Sequence, residues 1–165
     1  MPRQYTAWNG AAPTTAALVP VTTGTAIKTL LQIATPSTLE LEVVQWGISF
    51  DGTTFGAKIR CELIETDVAA TVTAHGATGI VRVTDPPGLA SQVTLGTTAT
   101  GFTASGEGTT TASRLLDYQL VDQSSAYSYT WSLGNYPIIA ASKFLRVRVT
   151  ATAAVNAAAF VTWQE

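Results

Sequence analysis

Cysteine and histidine each occur once in these 165 residues, as Cys61 and His75. A lone cysteine forms no internal disulfide. Together the two are too few for a zinc site, which takes three or four Cys, His or carboxylate ligands, so no metal or other cofactor is expected. Charge is also scarce. Asp, Glu, Lys and Arg make up 12% of the chain, against about 25% in an average globular domain. The 9 basic and 11 acidic residues leave a net charge of −2. Nucleic acid and anionic membranes are bound through clustered Lys and Arg, so neither is expected as a partner. No run of 18 apolar residues exists, which excludes a transmembrane helix. The opening MPRQYTAWNG has no apolar stretch after Arg3. No signal peptide is therefore expected, and synthesis in the cytoplasm is.

What is present is β-forming. Hydrophobic residues are 46% of the chain, and the polar surface must come from Thr, Ser and Gln with small Ala and Gly. Thr is β-branched and suits a pleated surface. A chain of this size buries up to roughly 69% of its extended surface as one domain. Residues 27–33 alternate. In residues 40–50 (ELEVVQWGISF), Leu41 and Val43 share one face; the phase then slips at Val44, and Trp46, Ile48 and Phe50 share the next. A one-residue slip of this kind predicts a β-bulge. Asp51-Gly52 predicts a hairpin to residues 57–65, which would bring Glu40 and Glu42 across from Lys58 and Arg60. Ile59, Cys61 and Leu63 alternate with charged neighbours, so Cys61 is expected as a small buried hydrophobe. Further strands are expected at 68–74, 79–84, 113–121, 126–133, 143–150 and 158–164. A stop is expected at Asp85-Pro86-Pro87-Gly88, and a long loop or two weak strands at 88–112. Leu145, Val147 and Val149 are expected inside, Arg146 and Arg148 outside. No helical periodicity of ten or more residues appears. The expected fold is all-β: a single antiparallel jelly-roll-like β-sandwich of about eight strands spanning 27–165. Residues 1–26, broken by Pro2, Pro13 and Pro20, are expected as an extended N-terminal arm lying outside the sandwich.

Chemistry-bearing motifs are absent from the sequence. His75 sits in TAHGATG, a glycine-flanked turn, and is expected to be solvated. The glycines of ATGFTASGEG are followed by no Lys and no helix, unlike a phosphate loop. No G-x-S-x-G elbow occurs, and no pair of the carboxylates stands out for hydrolysis. The chain is expected not to be an enzyme. Two aromatic groups remain. Arg3, Tyr5 and Trp8 in the arm are candidate partner contacts, because Arg and aromatic anchors dominate interfaces. Tyr127, Tyr129 and Trp131 share a strand face. That stripe is either sheet core, the favoured reading with Leu133 continuing it, or a flat glycan platform.

The stretches KTLLQIATPSTLELEVVQWGISFDG, IRCELIETDVAATVTA and FLRVRVTATAAVNAAAFVTWQE resemble small structural proteins of tailed bacteriophages, among them head decoration and minor capsid proteins. The resemblance spans most of 27–164 and carries no catalytic signature. It implies a virion protein that binds the major capsid protein on the outer surface of the capsid and cements it, often as a homotrimer. A glycan- or receptor-binding module of a head or tail fibre, or a structural tail component, is the alternative.

Overall fold

A computed structural model describes residues 2–84 and 88–165. The expected stop at residues 85–87 therefore lies outside the described residues, and only Gly88 of it is within them. The strands are β1 (Gln4–Trp8), β2 (Val21–Thr22), β3 (Ile27–Ala34), β4 (Leu41–Phe50), β5 (Lys58–Thr66), β6 (Thr71–Ala74), β7 (Ile80–Arg82), β8 (Gly101–Gly106), β9 (Ser113–Asp122), β10 (Ala126–Thr130), β11 (Ile138–Ile139), β12 (Phe144–Thr150) and β13 (Asn156–Gln164). A single 3-10 turn, Ala77–Gly79, precedes β7, and no α-helix forms among the described residues. The first sheet runs β10-β4-β13-β1-β7, with β11 beside β4 and β2 beside β13. The second runs β6-β8-β3-β12-β5-β9. Every pairing between these strands is antiparallel.

Side chains alternate across a strand with period two, and the sheets close on each other through the apolar half of each strand. Leu145, Val147 and Val149 of β12 face Ala157, Ala159, Val161 and Trp163 of β13 across one buried core that also holds Trp46, Ile48 and Cys61. Each fully buried large side chain contributes about 1.5–3 kcal/mol. The slip expected in β4 is present: Gln45 pairs with Thr162 and Val43 with Trp163, leaving Val44 as the extra residue. The bulge lets Leu41 and Val43 on one side of it, and Trp46 and Ile48 on the other, all reach the core.

Three expectations are corrected. First, the arm is not outside the sandwich along its whole length. Gln4–Trp8 is an interior strand between β13 and β7, and Tyr5 is 1% exposed. Tyr5 and Ala7 alternate with Thr6 and Trp8, so this short segment has an apolar face that completes the core beside Trp163. The Asn9 amide then locks its end, donating to the Ala157 carbonyl at 2.9 Å and accepting from the Ala159 N–H at 2.8 Å. Residues 10–20 form no strand and are mostly exposed. Second, Asp51-Gly52 opens a crossover and not a hairpin, because β13 and β10 already flank β4 and β5 belongs to the other sheet. Glu40 and Glu42 therefore do not face Lys58 and Arg60. Lys58 pairs with Asp122 at 3.3 Å, and Arg148 pairs with Glu62 at 2.8 Å. Third, Arg146 leaves the core side as expected but is 1% exposed, because the segment between β5 and β9 covers it.

Candidate functional site

The pairing register sets the outer face of the first sheet. Val81, Thr6, Thr162, Gln45 and Thr130 stand side by side in one cross-strand row. Trp8, Phe160, Gly47 and Ser128 form the next, and Ala158, Ser49 and Ala126 a third. These three rows carry no ionisable side chain. Ionisable side chains stand one row further out at both margins: Glu42, which accepts from the Gln164 amide, and Asp51, which accepts from the Asn156 amide at 2.9 Å.

Trp8 is the largest group on this face and is 38% exposed. Its ring centroid lies 4.9 Å from that of Phe160, with the planes at 37°. Phe160 occupies the space of a side chain at position 47, where a Cβ would stand 2.5 Å from the ring. Glycine at 47 thus lets the aromatic pair settle onto the sheet. Thr6 and Thr162 flank the pair, their hydroxyls 3.3 Å apart. The Trp8 carbonyl accepts from His75 Nε2 at 2.8 Å, which pins the end of β1. His75 is accordingly buried, with its ring against Phe102, and the expected solvated histidine is corrected. Burial lowers its pKa below the ordinary 6.5.

The structure separates the three arm candidates. Trp8 is on the open face. Tyr5 is in the core, where its ring stacks near Trp163 at 6.1 Å and its hydroxyl donates to the Leu89 carbonyl at 3.0 Å. Arg3 is half-buried, and its backbone exchanges two hydrogen bonds with Glu165. The aromatic stripe of β10 is split as well. Tyr127 is half-buried, edge-on to Trp46 at 5.5 Å. Both Tyr127 Oη and Trp46 Nε1 donate to Asp117 Oδ2, at 2.8 and 2.9 Å. Burial and the neighbouring carboxylate push the Tyr127 pKa to about 12. Tyr129 is exposed, but its ring stands at 82° to that of Trp131, so the three rings form no flat platform. Sequence reasoning missed Phe160, Thr6 and Thr162. The signal was the outward half of AAFVTW, which becomes a surface only when paired with the outward half of QYTAW.

The other titratable groups with displaced pKa values serve the fold. Burial pushes the Cys61 thiol up to about 12. Asp67 is lowered to about 2 by donors from Thr111 and Ala112, and Asp122 to about 2 by Ser124, Gly56 and Lys58. No group of three His, Cys, Asp or Glu residues able to hold a metal occurs among the described residues. A cavity of about 270 Å³ beside Tyr5 is lined mainly by Ile80, Leu89, Val93, Leu95 and the Arg82 side chain. Comparison with protein-family models, with curated proteins and with solved structures finds no match.

Proposed function

We propose that this chain is a non-enzymatic structural protein of a tailed-phage virion, a decoration protein that binds the major capsid protein on the outside of the head. The observation that carries the reading is the outer face of the first sheet, uncharged over its three cross-strand rows, with Trp8 exposed at the end of the middle row. Such a face loses few charge–water contacts when covered, and an aromatic anchor is the usual energetic centre of an interface. The connectivity supports the finer reading of the body as a jelly roll. The pairs β1·β13, β3·β12, β4·β10 and β5·β9 nest one inside the next along the chain. That is one long antiparallel hairpin rolled into two sheets, an architecture shared by viral capsid and lectin domains.

The test mixes the purified chain with undecorated phage shells. Saturable binding, with shells that resist heating better, supports the role. Shells left bare at a saturating excess sink it. A second reading, a glycan-binding module, is favoured by the Trp8–Phe160 pair flanked by the Thr6, Thr162 and Ser128 hydroxyls. Glycan-array binding that is lost in Trp8→Ala, with shells left bare, selects it over decoration.

A further inference from the structure

Among the described residues six strands have a single neighbour, and five of them are short: β2 and β11 have 2 residues each, β7 has 3, β6 has 4 and β10 has 5. The sixth, β9, has 10. Natural edges are blunted by short length, by Lys or Pro, or by a bulge. β9 contains neither Lys nor Pro, and its one cation, Arg114, is drawn to Glu65 at 2.6 Å and to the Ile138 carbonyl. Its bulge falls at Leu116, opposite the Leu63/Ile64 step, and leaves residues 117–122 regular. Pairing with Ile64, Glu62 and Arg60 turns Leu115, Tyr118 and Leu120 to the outer side. There they are 57%, 40% and 58% exposed.

We propose that β9 pairs with β9 of a second copy of this chain, antiparallel about a two-fold axis at Gln119, joining the two second sheets edge to edge. The Tyr118 N–H donates to its neighbour Asp117 Oδ1 at 2.7 Å, so its donor is held by a side chain of its own strand. Residues two apart present their N–H and C=O to the same side of an antiparallel strand, so the Leu120 N–H and the Tyr118 and Leu120 carbonyls face the open edge, and the Tyr118 N–H joins the ladder by exchanging Asp117 Oδ1 for the Leu120 carbonyl of the second copy. In this register Tyr118 stands opposite Leu120 of the second copy, Asp117 opposite Val121, and Gln119 opposite itself. No like charges meet, and Asp117, the only charged residue from 117 to 121, points inward to Trp46 and Tyr127. The stripe is thus complementary to itself, which selects a second copy as its occupant.

The pairing does not depend on the capsid reading, and a pair differs in mass from the trimer that the phage resemblance implies. Sedimentation of the full chain over a range of concentrations is expected to give a monomer–dimer equilibrium. Leu120→Lys, at an exposed position, is expected to return the monomer with thermal unfolding unchanged. Gln119→Cys is expected to cross-link two copies on oxidation, since facing Cα atoms at a non-hydrogen-bonded pair lie about 4.5 Å apart. Ser128→Cys on β10 is expected not to, and the buried Cys61 is silent in both. A chain that stays monomeric at every concentration overturns the proposal, as does an oligomer that ignores Leu120→Lys and gives no Gln119→Cys cross-link. Capture of a different polypeptide on β9 without self-association overturns it equally.

Discussion

The outer faces of the two sheets solve opposite problems. The face built around Trp8 is open and uncharged, and its Thr6 and Thr162 hydroxyls bond within the sheet, Thr6 to the Val161 carbonyl at 3.1 Å and Thr162 to Thr6. On the second sheet, the segment between β5 and β9 lies over part of the outer face and buries Gln32 and Arg146 there. Buried polar groups cost free energy unless each finds a partner. The Gln32 amide accordingly donates to Ala99 O at 2.6 Å and accepts from Ala70 N at 2.8 Å. Arg146 donates to the Glu107 carbonyl at 3.0 Å and to the Val68 carbonyl. The Glu107 carboxylate takes the Thr29 N–H and hydroxyl, each at 2.6 Å. Covering a polar face thus demands a network, whereas an open face needs only to avoid charge. The covered face is fixed by the chain itself, and the open one is the surface to which the proposed capsid contact is assigned.

Perturbations of each face sharpen the contrast. The largest effect is expected from deleting residues 2–8. This removes an interior strand of the first sheet, so cooperative unfolding by circular dichroism should be lost, whereas an arm outside the sandwich would leave it intact. Trp46→Ala is expected to cost about 3–5 kcal/mol in a urea titration, from its buried ring. A loss under about 1 kcal/mol would place the ring outside the core. On the covered face, Glu107→Ala leaves the buried Arg146 charge without its counter-ion and is expected to cost about 3 kcal/mol. Pairing it with Arg146→Leu should recover part of that loss. An additive double variant would mean the two do not act as one unit.

Acidification separates the groups further. The folded His75 pKa is lowered by burial, so as pH falls below 6.5 the unfolded chain takes up a proton that the folded chain refuses. Stability should therefore fall below pH 6.5, and His75→Phe should flatten that part of the profile. Asp67 and Asp122 are lowered to about 2. Their contribution is present above the ordinary 3.8 and is lost as pH falls from there through about 2. The smallest stability effect is expected from Trp8→Ala on the open face, under about 1 kcal/mol, with loss of shell binding. Unchanged binding would move the contact elsewhere.

Strand positions were largely legible in the sequence, because alternation survives in β4, β5, β12 and β13, and even the bulge at Val44 left its phase slip; in β3 a bulge at Leu30 breaks the alternation expected over 27–33 and turns Thr29 to the opposite face from Leu31. Partners were not legible. Asp51-Gly52 signals a turn, yet a turn does not state whether the next strand joins the same sheet. β1 was missed because five residues followed by a Pro-interrupted stretch look like a tail until β13 and β7 supply their edges. Arg146 and Arg148 carry the same local pattern, and only the overlying segment makes one buried and the other partly exposed. The candidate face was legible at Trp8 alone, since its other members lie on separate strands.

Arg3 and Glu165 donate to each other's carbonyls at 3.1 and 3.0 Å, and β1 runs antiparallel to β13 from that point. A tension applied at these two residues would pull across the ladder instead of along it. The bonds from Gln4↔Gln164 to Trp8↔Phe160 would then be loaded one after another, like teeth parting, and never together in shear. The molecule should resist heat through its core yet give way at low force when drawn by these ends.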